Sequence, residues 1–193
     1  MALRRTDMIG LKLSDPLSCG RKGNIQSPFC LITRLCAVKT MIIEERLKAL
    51  GIDLPESYSP IANYIPVSRV GNTLYLSGTG PSRGAAALYT GKLGSDISVD
   101  DAYQAARLAA VNVLIMLKQE LGDLDKVDRI VKMIGYINCT PDFQQQPVVL
   151  NGASDLFVQV FGEKGRHARA AIGINALPMS LPVEIDVTVT CKD

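Results

Sequence analysis

With 193 residues, 47% of them hydrophobic, the chain can fill one sizeable core. Its net charge of +2 comes from residues 1–40, which carry seven Lys or Arg against two acids and leave 14 basic and 17 acidic residues downstream. A mildly acidic body excludes nucleic-acid binding through a basic patch, and no apolar run reaches the roughly 20 residues that span a bilayer.

Residues 1–40 show no sustained periodicity and no compact apolar stretch followed by a cleavage site. They form an extension, disordered or upstream of a working start at Met41, and residues 41–193 form a single domain. Cys19, Cys30 and Cys36 lie in the extension and Cys139 and Cys191 in the body, none of them in a CxxC pair. With His167 as the sole histidine, a zinc site is excluded. The two body cysteines fit small buried hydrophobes in a reducing, cytoplasmic setting.

Ile43, Leu47 and Leu50 space a short helix that Gly51 ends, and Pro55 and Pro60 mark a loop. Strands follow at 64–70 and 73–77, joined through Gly71-Asn72, then a long loop punctuated by Gly78, Gly80, Gly84 and Gly91. Ser98 caps a helix with Asp100 and Asp101 in its first turn, running to Leu121 and stopped by Gly122. Ala102, Ala105, Ala106, Ala109, Val113 and Leu117 form its inner stripe. A strand at 129–139, a helix at 149–161, and strands at 167–174 and 183–190 complete the chain. This order predicts an α+β fold, a mixed sheet with two helices packed on one face.

The last two strands alternate. Val183, Ile185, Val187 and Val189 share one face of the final strand, with Glu184, Asp186, Thr188 and Thr190 on the other. Ala170, Ile172 and Ile174 likewise oppose Arg169, Ala171 and Gly173. If the aliphatic sets face the helices, Arg169 and Glu184 share the opposite face. The strand at 130–137 is apolar on both sides, which predicts self-association through the sheet.

There is no GxSxG, HExxH or Walker motif, and Gly78-Thr79-Gly80 lacks a dinucleotide fingerprint. Acid–base work therefore falls to a carboxylate or a bound water. The guanidinium fork of Arg169 suits bidentate capture of a carboxylate. Glu184, between Val183 and Ile185, suits acid–base use if burial raises its pKa. An intramolecular or intersubunit ion pair of Arg169, with Glu184 as a candidate partner, and a water-facing role for Glu184 are the competing readings. Tyr64, Ser77 and Asn151 are weaker candidates individually.

Arg169 is followed eight residues later by Leu177-Pro178 and fifteen later by Glu184 within Val-Glu-Ile-Asp; Tyr64 precedes Gly71-Asn72, with Leu76-Ser77-Gly78 beyond. This arrangement, from about Ser59 to Thr190, resembles the Rid family, the YjgF or L-PSP endoribonuclease-like reactive intermediate deaminases. The resemblance implies a chorismate-mutase-like fold, a homotrimer whose sheets form a barrel, and sites in clefts between subunits. It further implies that Arg169 clamps the carboxylate of a 2-imino or 2-enamino acid while Glu184 handles the hydrolytic water. Tyr64, Ser77, Asn151 and the backbone of Ala171 would line the pocket. The reaction implied is hydrolysis to a 2-oxo acid and ammonia without metal or organic cofactor. A small-carboxylate binding or regulatory protein on the same scaffold is the alternative. The chain departs from the family pattern in its longer 78–91 loop, in Ala171 where archetypal members carry cysteine, and in a longer interval from Asn151 to Arg169.

Overall fold

The computed structural model describes residues 43–54 and 63–192, so the expectations for residues 1–40 and for the 55–60 loop lie outside it. Local signals set most element ends. Ser98 Oγ accepts the Asp101 N–H at 3.0 Å, and Gly122, at φ +74°, returns its N–H to the Lys118 carbonyl at 2.8 Å. Between them runs α2 (Val99–Leu121), preceded by the short α1 (Ile43–Ala49). The second long helix, α3 (Gln146–Phe161), starts three residues earlier than expected, because Pro147 sits in its first turn. A first-turn proline gives up an N–H that has no intrahelical acceptor anyway.

Five strands form the main sheet in the order β1-β2-β7-β5-β6: β1 (Val67–Val70), β2 (Thr73–Leu76), β5 (Val127–Asn138), β6 (Ala168–Ile174) and β7 (Val183–Cys191). All neighbours run antiparallel except β5 and β6, so the sheet is mixed, as predicted. A two-residue pair, β3 (Ser82–Arg83) with β4 (Ala86–Ala87), folds the long glycine loop into a small hairpin that the sequence had not suggested. Gly71 alone takes positive φ between Val70 and Thr73, the signature of a type II′ hairpin turn. Tyr64–Pro66 stay outside β1, shorter than predicted, since Pro66 has no N–H for a ladder.

The core lies between the sheet and the two long helices. Val183, Ile185, Val187 and Val189 of β7 are buried there with Leu74, Leu76, Met133, Phe157 and Leu114. The predicted alanine stripe of α2 is fully buried, and α3 crosses it closely at Gly152. A methyl at Gly152 would overlap the Tyr103 carbonyl of α2. Gly152→Ala must therefore push two backbones apart, and a loss of about 1–3 kcal/mol is expected in denaturant unfolding with unchanged m-value.

Two sequence expectations about strand faces change here. In β5 the ladder to β7 slips between Val127 and Arg129 and again between Ile130 and Lys132. Each irregularity shifts side-chain parity, so Ile130, Met133 and Ile137 all turn inward while Val131 is left 38% exposed. In β6 the faces are the reverse of the expectation. Arg169 pairs laterally with Met133, and Met133 with Val187, which puts Arg169 on the helix-covered face. Ile172, Tyr136 and Glu184 line up across three strands on the other face, where Ile172 stays 42% exposed. Arg169 and Glu184 thus occupy opposite sides of one subunit's sheet.

Candidate active site in two halves

Glu184 belongs to the half formed by β7 and the start of the glycine loop. Thr79 bridges Ile185, bringing Gly78 over the Glu184 carboxylate so closely that a side chain at 78 would strike Oε1. The loop is held there from the helix side. Asn112, buried within the apolar stretch of α2, donates from Nδ2 to the carbonyls of Gly80 and Ser82 at 2.9 and 2.8 Å. Desolvation raises the Glu184 pKa, and the charge of Asp186, two residues along the same face, adds to it. Its neighbour across the strand is Tyr136.

Ser77 and Tyr64 lie on this half too. Ser77 donates from Oγ to the Ile65 carbonyl at 2.7 Å and from its N–H to the Pro66 carbonyl at 2.9 Å. These bonds tie segment 64–66 to the end of β2. Tyr64 and Ile65 remain 43% and 64% exposed at that corner.

Arg169 builds the second half, on the edge strand β6 against α3. Its Nη1 donates to Ser154 Oγ at 3.0 Å and its Nη2 to the Pro147 carbonyl at 3.3 Å. Two of the five guanidinium N–H groups are committed, leaving three for a ligand. Pro147, Asn151 and Ser154 fall on one helical stripe, so Asn151 stands between the two points that Arg169 grips. Ala171 follows on the same face of β6, packed against the core.

The six predicted residues therefore separate into Tyr64, Ser77 and Glu184 on one side and Asn151, Ala171 and Arg169 on the other. No Arg169–Glu184 ion pair occurs within the described chain. Of the residues that touch or adjoin one half, Tyr136, Ser154 and His167 are not among the candidates the sequence offers, and Gly78 enters there only within the Leu76-Ser77-Gly78 motif. Ser154 was detectable as the residue three beyond Asn151. A cavity of about 320 Å³ lies beyond Gly173, on the Arg169 face but about 13 Å along the strand. Another of about 510 Å³ beside α1 contains none of these residues.

The profile of the family described as "YjgF/chorismate_mutase-like, putative endoribonuclease" matches residues 44–185. The chain belongs to this family. It is the Rid family to which the spacing of Arg169 and Glu184 pointed. Protein TCP17 of Trypanosoma cruzi is 41% identical over 148 residues, 76% of this chain and 92% of that protein. Among solved structures, Atu1372 of Agrobacterium tumefaciens, of unknown function, is 46% identical with a TM-score of 0.72, covering 78% of this chain and 92% of its own. A protein of Shewanella oneidensis described as a "putative endoribonuclease" is 36% identical with a TM-score of 0.74, covering 78% and 99%. Among the described residues, no helix is long and apolar enough to cross a membrane.

Proposed function

We propose that the protein hydrolyses 2-imino and 2-enamino acids to 2-oxo acids and ammonia, at a site completed by a neighbouring subunit. The observation that carries this is the pairing of an anchored, partly uncommitted Arg169 with a desolvated Glu184 on opposite sheet faces. Each is half of a site that a second copy can close. The open face supports such an assembly: Val70, Tyr75 and Ile172 are exposed on it, with the half-buried Ile134 and Tyr136 between them. A homotrimer whose sheets form a barrel would bury that band and set Arg169 of one subunit beside Glu184 of the next.

In the closed site Arg169 holds the substrate carboxylate in a two-bond fork. Ionised Glu184 takes a proton from water as the oxygen attacks the C2 carbon, and the imine nitrogen receives the displaced electron pair. Glu184 returns that proton to nitrogen to give the carbinolamine. It then carries the hydroxyl proton to nitrogen as the C=O bond forms and the C–N bond breaks, so ammonia and a 2-oxo acid leave and Glu184 ends ionised. The imine carbon is already electrophilic, so orientation and one proton relay suffice, and no cofactor enters this scheme. The endoribonuclease name borne by relatives finds little support here. The single His167 has both ring nitrogens engaged, one on the Gly165 carbonyl and one on Ser154.

Mixing inactive variants tests the shared site. Arg169→Ala and Glu184→Gln subunits, unfolded and reassembled together in equal amounts, should recover about a quarter of wild-type ammonia release, because one ring junction in four pairs an intact Arg169 with an intact Glu184. Each variant reassembled alone should remain inactive. Recovery no greater than the two separate activities would overturn the shared site.

A further inference from the structure

We propose that Ser154 and His167 are positioning residues for the Arg169 clamp, aligned as a directional hydrogen-bond chain that fixes the guanidinium before substrate arrives. The proposal rests on the reading of Arg169 as the carboxylate clamp and names what makes that clamp rigid.

The chain begins at a carbonyl. His167 Nδ1 lies 2.7 Å from the Gly165 oxygen, which can only accept, so Nδ1 carries the proton. In the neutral ring that leaves a lone pair on Nε2, which lies 3.2 Å from Ser154 Oγ. The serine hydroxyl therefore donates to Nε2, and its own lone pair is turned toward Arg169 Nη1, 3.0 Å away. Every atom in the series has one assignable role. A serine without this histidine would let its hydroxyl rotate, and the guanidinium would lose a fixed acceptor.

The imidazole itself is held on several sides. It stands T-shaped to the Phe157 ring, at 83° with centroids 5.8 Å apart, so α3 supplies both an aromatic wall and Ser154. Gly165 is buried where any side chain would strike the Phe157 carbonyl, which brings its own carbonyl within reach of Nδ1. The ring is also kept neutral. Desolvation lowers its pKa; the Gly165 bond works the other way, and the positive charge of Arg169 adds a smaller lowering.

The arrangement uses two of the guanidinium's donors on α3, at Ser154 and Pro147, which lie about two turns apart on one helix. Preorganisation of this kind raises affinity by removing the ordering cost of a long side chain. It contributes equally to ground state and transition state, so its loss should appear in KM rather than in kcat.

The experiment measures equilibrium binding of 2-oxobutanoate, together with KM and kcat for the imine, on the full-length protein. Ser154→Ala should weaken binding about tenfold and raise KM correspondingly, with kcat within about threefold of wild type. His167→Phe keeps an aromatic ring against Phe157 but removes the acceptor, and should weaken binding severalfold. His167→Gln can place its amide oxygen where Nε2 stands and should restore binding to within about twofold of wild type. Thermal melts and particle size establish that each variant is folded and assembled. Wild-type affinity in both Ser154→Ala and His167→Phe would overturn the chain while leaving the clamp intact, provided Arg169→Ala abolishes binding. Binding by His167→Gln as weak as by His167→Phe would overturn the acceptor role. Unchanged binding by Arg169→Ala would instead defeat the clamp reading itself.

Discussion

Arg169→Ala is expected to raise KM for 2-imino acids by at least about a hundredfold, and to abolish measurable 2-oxo acid binding, while the fold survives. The size follows from two charge-assisted hydrogen bonds to one carboxylate, each worth about 1.5–3 kcal/mol. The fold survives because the side chain is exposed at a sheet edge and its two partners, Ser154 Oγ and the Pro147 carbonyl, can turn to water. Arg169→Lys separates charge from geometry. A lysine supplies the positive charge but cannot grip both α3 points and still present a planar fork. It should recover less than about a tenth of the lost affinity. Ammonia-release kinetics and calorimetric titration with 2-oxobutanoate measure both outcomes, and an unaltered KM in the alanine variant would refute the clamp.

Glu184→Gln should reduce turnover by about 10²–10⁴-fold, the range usual for removing a positioned acid–base group, while 2-oxo acid binding persists. Persisting hydrolysis in this variant would remove Glu184 from the mechanism; lost binding would mean that it holds the ligand. Glu184 must be ionised to take a proton from water, so wild-type activity should fall as pH drops through its apparent pKa. Burial and the neighbouring Asp186 place that pKa above the ordinary carboxylate value, and the acid limb moves up with it. The same shift has a sign for stability. A carboxyl that binds its proton more tightly when folded favours the native state at low pH, and that advantage is lost as pH rises from the unfolded to the folded pKa. Above that window the ionised group burdens the native state, so Glu184→Gln should melt higher than wild type near neutral pH. The difference should vanish near pH 4. A catalytic loss accompanied by a stability gain is the pattern expected where an ionised group is retained for chemistry.

How much was visible in the sequence depended on the range of the forces involved. Ser98 and Gly122 bound α2 through bonds spanning three or four residues, and such bonds follow from residue type and order. The alternation in β7 was equally legible, because its Val and Ile residues are all buried on one face. β5 misled, since two irregularities in its ladder reset the parity that a period-two reading assumes. β6 misled for another reason. Arg169, Ala171 and Gly173 look less apolar than Ala170, Ile172 and Ile174, yet they face α3, and only the tertiary placement of an edge strand decides that. The six candidate residues divide between two faces of the sheet, a division that the strand alternation did not reveal. The Ser154–His167 contact was out of reach too, joining the middle of α3 to the residue before β6 across a tight glycine turn.

That division has a consequence for a newly made or highly diluted subunit. On the proposed reading, a lone chain carries two disconnected half-sites and would release no ammonia. Specific activity should therefore decline on dilution at concentrations where circular dichroism still reports native structure, and the dissociation constant of the assembly becomes a switch for the chemistry.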